Sequence, residues 1–169
     1  MTGVQISVSL QDLGIAEAFD RMAAGAEDMT DLMDRIGSVL INGTRDRIGT
    51  TNVDLDGTPW PQSLRVKEFG GKTLHLSGEL LASVTSEAAP HEVTVGSNKI
   101  YAGVHQTGAT ITPKNGDALS FTLANGERVV AGSVTIPARP YLGISEAEGA
   151  TIEDVTGIWF NDLLGIGGR

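Results

Sequence analysis

The chain has 169 residues, 40% of them apolar and 5% aromatic, which is enough to close one hydrophobic core. It carries 21 acidic against 12 basic residues, a net charge of −9 that repels nucleic acid in bulk. There is no cysteine, which removes disulfides, thiolate nucleophiles and Cys-based zinc sites, and no apolar run of the roughly eighteen residues that a membrane span needs. The opening stretch "MTGVQISVSLQDLG" lacks the basic start and apolar core of a secretory signal, so the chain is expected to fold where it is made.

In chain order, Val4, Ile6, Val8 and Leu10 alternate with Gln5, Ser7 and Ser9, the period of a half-buried strand. Ile15, Ala18, Phe19 and Met22 then share one face of a short helix. Met29, Leu32, Met33, Ile36, Val39 and Leu40 carry the same spacing through a longer helix, expected from about residue 27 to about 48. Gly25 is expected to separate the two, with Arg45 and Arg47 in the last turn and Gly49 as its stop. Residues 50–73 are rich in Gly, Pro and polar side chains and read as a long loop or arm, functional or ordered by a partner. Ser77 suits the cap of a short helix that buries Leu80, Leu81 and Val84. "HEVTVGS" reads as a strand and "KIYAGV" as a strand or helical turn. Leu119, Phe121 and Leu123 alternate up to an Asn125-Gly126 turn, and the return strand is expected to carry Val130, Val134 and Ile136. Thr151 to Leu164 reads as a helix with Ile152, Val155, Trp159 and Leu163 on one face, stopped by Gly165 before a frayed tail.

These elements make a single α+β domain over residues 1–169 with no internal repeat. A small antiparallel sheet with a β-hairpin is packed by a long N-terminal helix and a C-terminal helix, and an extended Gly/Pro-rich arm covers about residues 50–73.

No catalytic, cofactor or metal set emerges. "NVDLDG" begins like a calcium loop, with Asn52, Asp54, Asp56 and Gly57 in step, but its twelfth position is Ser63 where a bidentate Glu belongs. An exposed Asp-Gly turn is the better account. His75, His91 and His105 show no ligand spacing, so the sequence gives a metal-dependent hydrolase built on them no support. No Ser lies in a G-x-S-x-G elbow, and the glycine clusters lack the strand and helix that a phosphate loop requires.

Four segments stand out: "DGTPWPQSL" (56–64), "LHLSGELLASV" (74–84), "VGSNKIYAGVHQTGA" (95–109) and "IPARPYLGIS" (136–145). In this order and spacing the chain resembles the phage virion morphogenesis family, the tail completion proteins of Mu-like and P2-like phages, from about residue 30 to the C-terminus. A looser similarity reaches the neck proteins of siphophages. Tyr141 stands where Phe is commoner in the family, and the stretch ahead of Asp56 lacks a proline often found there. The resemblance implies a non-enzymatic structural protein, found in the virion at the neck or tail end and in the host cytoplasm during assembly. It also implies a homo-oligomeric ring, expected to be a hexamer, that contacts head-tail connector or tail tube proteins, with DNA passing through the lumen without specific binding. A tail terminator capping the tube, or a small phage-encoded module acting on a host protein, are the alternatives. The net charge suits a lumen wall that offers phosphates no partner, and it equally suits plain solubility.

The proposed structural or subunit-interface residues lie in these segments. Pro137 and Pro140 fix their own φ and push Ile136 and Arg139 out of the α region, making a stiff elbow. Arg139 is expected to form a bidentate bridge to a carboxylate, across a subunit boundary or within the protomer, with Tyr141 and Leu142 packed inward. Tyr101, His105 and Gln106 form the second motif; Tyr101 and His105, four apart, share a helical face and could support the elbow, while the favoured reading buries Tyr101 in the core. Trp60, between Pro59 and Pro61, reads as an exposed aromatic that anchors in a neighbour's pocket, the alternative being a cap over its own core.

Overall fold

The computed structural model describes residues 14–165; the strand expected at 4–10 and the tail beyond Gly165 lie outside them. Helix α1 (Ile15–Glu27) and helix α2 (Thr30–Asp46) are separated at Asp28, whose carboxylate accepts the Thr30 amide at 3.0 Å. Gly25 is not the separator. It lies inside α1, backed by the Leu163 side chain, and Phe19 of the same helix is exposed rather than inward.

Gly49 does not stop α2 either. The helix widens into a π-helical turn, Arg47–Thr51, and ends at Asn52 in the left-handed region, φ 60°. Two short helices follow, α3 (Leu64–Phe69), capped by the Ser63 hydroxyl on the Val66 amide, and α4 (Glu79–Ala82), whose N-cap is Gly78 rather than Ser77.

Strands β1 (Val84–Ala89) and β2 (Glu92–Ser97) pair antiparallel from Val84 opposite Ser97 to Ala89 opposite Glu92. "YAGVHQT" is helical: α5 runs Ala102–Thr107. The hairpin around Asn125-Gly126 forms as expected between β4 (Leu119–Thr122) and β5 (Arg128–Ala131). Its half-buried return residues are Val129 and Ala131, opposite Phe121 and Leu119, and Val130 points out. Val134 and Ile136 belong to a separate strand, β6 (Val134–Ile136), which pairs with β3 (Ala109–Ile111). The described chain is thus α+β with three two-stranded antiparallel sheets.

Helix α2 packs on the β1–β2 hairpin, and α6 (Glu146–Leu164) lies against both α2 and α1. Ile152, Val155, Trp159 and Leu163 form its inward face, as the spacing predicts. Arg21 of α1 closes the far end of α6 by donating to the carbonyls of Leu163 and Leu164, where a cation meets the negative helix terminus. No described helix is long and apolar enough to cross a membrane.

The central core joins Ile48, Trp60, Leu80, Val84, Ala102 and Tyr141, flanked by Ile41, Leu74, Leu81, Val95 and Leu142. Trp60 therefore corrects the exposed-arm expectation. It is 5% exposed, and its indole N–H donates to Pro140 O at 3.2 Å. Residues 50–73 are not a free arm: the Asn52 side-chain amide donates to Thr73 O at 2.7 Å and accepts from Thr73 N at 2.7 Å, closing the base of the loop. The Asp-Gly turn at its tip holds together because the Asp54 carboxylate accepts the amides of Asp56 and Thr58.

Candidate functional site

The elbow at 136–145 is an irregular stretch whose prolines at 137 and 140 bar it from a helix or a sheet interior, so its backbone polar groups need partners from elsewhere. The structure supplies them from three distant segments. Arg139 N donates to His105 O at 2.7 Å, and Pro140 O accepts from Trp60. Gln106 then pairs like a detached peptide unit: its Oε1 accepts from Tyr141 N and Leu142 N, both at 3.0 Å, and its Nε2 donates to Leu142 O at 2.8 Å. Arg47 holds the far side, Nε donating to Tyr141 O at 3.0 Å and Nη2 to Gly143 O at 3.4 Å.

Tyr141 packs inward as expected. It is 1% exposed, its hydroxyl donates to Ala102 O, and burial pushes its phenol up from the usual range. Tyr101 does not share that burial: it is 40% exposed at the start of α5, edge-on to His105 with ring centroids 6.0 Å apart. The inward tyrosine is Tyr141, because the elbow carries it into the core while Tyr101 sits on the outer side of a one-turn helix. Gly108 ends that helix at φ 73°, and a Cβ there would come within 2.7 Å of Ala138 N and 3.0 Å of Ile136 O. The "HQTG" motif and "IPARP" are thus one contact: a histidine carbonyl, a glutamine amide and a bare glycine α-carbon meet the elbow.

Arg139 is 4% exposed, and its guanidinium makes one bond among the described residues, Nε to Pro61 O at 2.7 Å. No carboxylate within the described chain bridges it. Burial pulls its pKa down, and burial followed by the nearby Arg139 charge pulls His105 down, so the imidazole stays neutral at physiological pH.

The buried ion pair lies instead between Arg47 and Glu148, Nη1 to Oε2 at 2.8 Å with both side chains under a tenth exposed. Arg47 Nη2 also reaches the Thr44 hydroxyl. Glu148 Oε2 accepts from Ser145 N and Oγ as well, forming the capping box that starts α6 at Glu146 rather than Thr151. Burial alone would raise the Glu148 carboxyl, but hydrogen bonds from Arg47 and Ser145 outweigh it and hold the group below its usual value. The carboxylate fits because position 43 of α2 is glycine; a Cβ there would collide with Glu148 Oε1. The signal for Ser145 and Glu148 was present as S-x-x-E. Nothing in the sequence pairs Arg47 with a residue 101 positions away.

No group of three or more potential metal ligands gathers among the described residues. The family model for the phage virion morphogenesis family matches residues 10–161, which include the loop at 50–73, helix α5 and the whole elbow. The chain belongs to the phage virion morphogenesis family. It is also 30% identical over 142 residues to the Mu-like prophage FluMu G protein 2 of Haemophilus influenzae, covering 83% of this chain and 86% of that one. No solved structure matches it. Membership makes this a virion-associated protein of a structural family.

Proposed function

We propose that this chain is a non-enzymatic structural subunit that forms a homo-oligomeric ring of about six copies at the head-tail interface or tail end, where it completes the tail and joins it to the head. The family match across residues 10–161, which includes the whole elbow, carries this reading. A subunit that repeats around a ring presents two different faces to its neighbours, and each must keep its shape from copy to copy. The elbow meets that demand because the partners of its backbone groups are fixed within the protomer. Head-tail connector and tail tube proteins are the axial neighbours, and DNA passes the acidic wall without specific contacts.

The test is a phage or prophage carrying a stop codon in this gene. Electron microscopy is expected to show separate full heads and unjoined tails, and peptide mass spectrometry to find the chain in wild-type particles. Normal yields of joined, infectious particles from the stop mutant would overturn the proposal.

A further inference from the structure

Two cavities of about 350 Å³ and about 620 Å³ flank the elbow and share Ser63, Arg65, His105 and Arg139 as a common wall. Arg139 is more than nine-tenths buried and spends a single donor, on Pro61 O. The other donors of the guanidinium fork have no partner among the described residues and remain open to the cleft, beside the buried and unpartnered Nδ1 of His105. A largely desolvated guanidinium with no carboxylate partner and donors free in a cleft is suited to accept a carboxylate in the bidentate geometry. The acids that line the cavities are committed elsewhere: Glu68 accepts from Asn125 Nδ2 at 3.1 Å and Glu79 pairs with Lys99 at 3.0 Å.

We propose that the Arg139 cleft is a receptor for an exposed carboxylate side chain of a second copy of this chain. The assignment rests on the ring reading above and names the contact that would build it. Charge selects the occupant. The chain is acidic overall, 21 acids to 12 bases, yet Arg65, Lys67 and Arg139 gather around the larger cavity. The cleft is therefore opposite in sign to the rest of its own surface, and a copy offers exposed carboxylates such as Asp34, Glu153 and Asp154. Leu76, 77% exposed, and Tyr101 line the smaller cavity and give the incoming segment an apolar edge to bury. A cleft on one copy filled by a different face of the next is a heterologous contact, the kind that closes into a ring.

Sedimentation of the full chain between about 10 and 500 μM tests this, comparing wild type with Arg139→Lys, which keeps the charge and loses the fork. The expected result is self-association in the wild type, weakened at least about tenfold in the variant. Because Arg139→Lys could also loosen the elbow, a second measurement uses wild type alone. Succinate, a free dicarboxylate, is expected to dissociate the assembly more than sodium chloride at equal ionic strength. A wild type that stays monomeric, a variant that associates equally, or indifference to succinate overturns the proposal. So does Arg139-dependent capture of a different virion protein with no self-association. The chain found in particles while the cleft fails these measurements leaves the virion reading standing and removes this one.

Discussion

Gln106 and Asn52 each use a side-chain amide where a strand would use a peptide. Gln106 serves two amides and a carbonyl of the elbow, and Asn52 serves both polar groups of Thr73. Replacing Gln106 by Met keeps the volume and strands three partly buried backbone groups, so unfolding by urea should show a loss of about 2–4 kcal/mol. Glu148 gives a pH signature with a definite sign. Its folded pKa lies below the unfolded value near 4.5, so its stabilisation is present above that pH and lost as pH falls through the folded pKa. Unfolding free energies between pH 3 and pH 7 should fall less steeply on the acid side for Glu148→Gln than for wild type. Arg47→Met should be the harsher change, about 3–5 kcal/mol at neutral pH, because it leaves the buried carboxylate without its counterion. None of these pairings was legible beforehand. Gln106 was visible as part of a motif and Arg47 as a helix-end cation, but a partner tens of residues away leaves no periodic trace in the sequence.

At the scale of elements, local chemistry was readable and choice of partner was not. The Asn125-Gly126 hairpin and the inward face of α6 followed from turn residues and three-four spacing. Val134 and Ile136 pair with β3 and not with the Asn125-Gly126 hairpin, because an alternating pattern states which side is buried and not which strand lies alongside. The loop at 50–73 departs from the arm its composition suggests for a related reason. Its Gly and Pro content reports a lack of repetitive secondary structure, which is compatible with full burial of Trp60. Wild-type monomer should therefore resist trypsin at Arg65 and Lys67, whereas Trp60→Ala, which removes the core anchor and the bond to Pro140 O, should be cut there; gel analysis of timed digests decides. Gly108→Ala forces a side chain onto a backbone conformation nearly reserved for glycine and against Ala138 N. A loss of about 2–4 kcal/mol in thermal or urea unfolding is expected.

At the scale of the whole molecule, an acidic chain poor in aromatics places a tryptophan and a tyrosine, Trp60 and Tyr141, in its central cluster. The fold class and the family were accessible from sequence because both rest on segment order. The architecture of the elbow was not, since it arises where a loop, two helices and the capping box of a third converge. That convergence also orders events in time. One clamp of the elbow is the buried Arg47, and the charge that neutralises it arrives 101 positions later in translation. Until Glu148 has been made, the end of α2 holds an unanswered cation and the proline stretch lacks one of its clamps. Only a chain that extends through Glu148 can fix the elbow on both sides, so products terminated before that residue are expected to be cut faster by protease than the full chain.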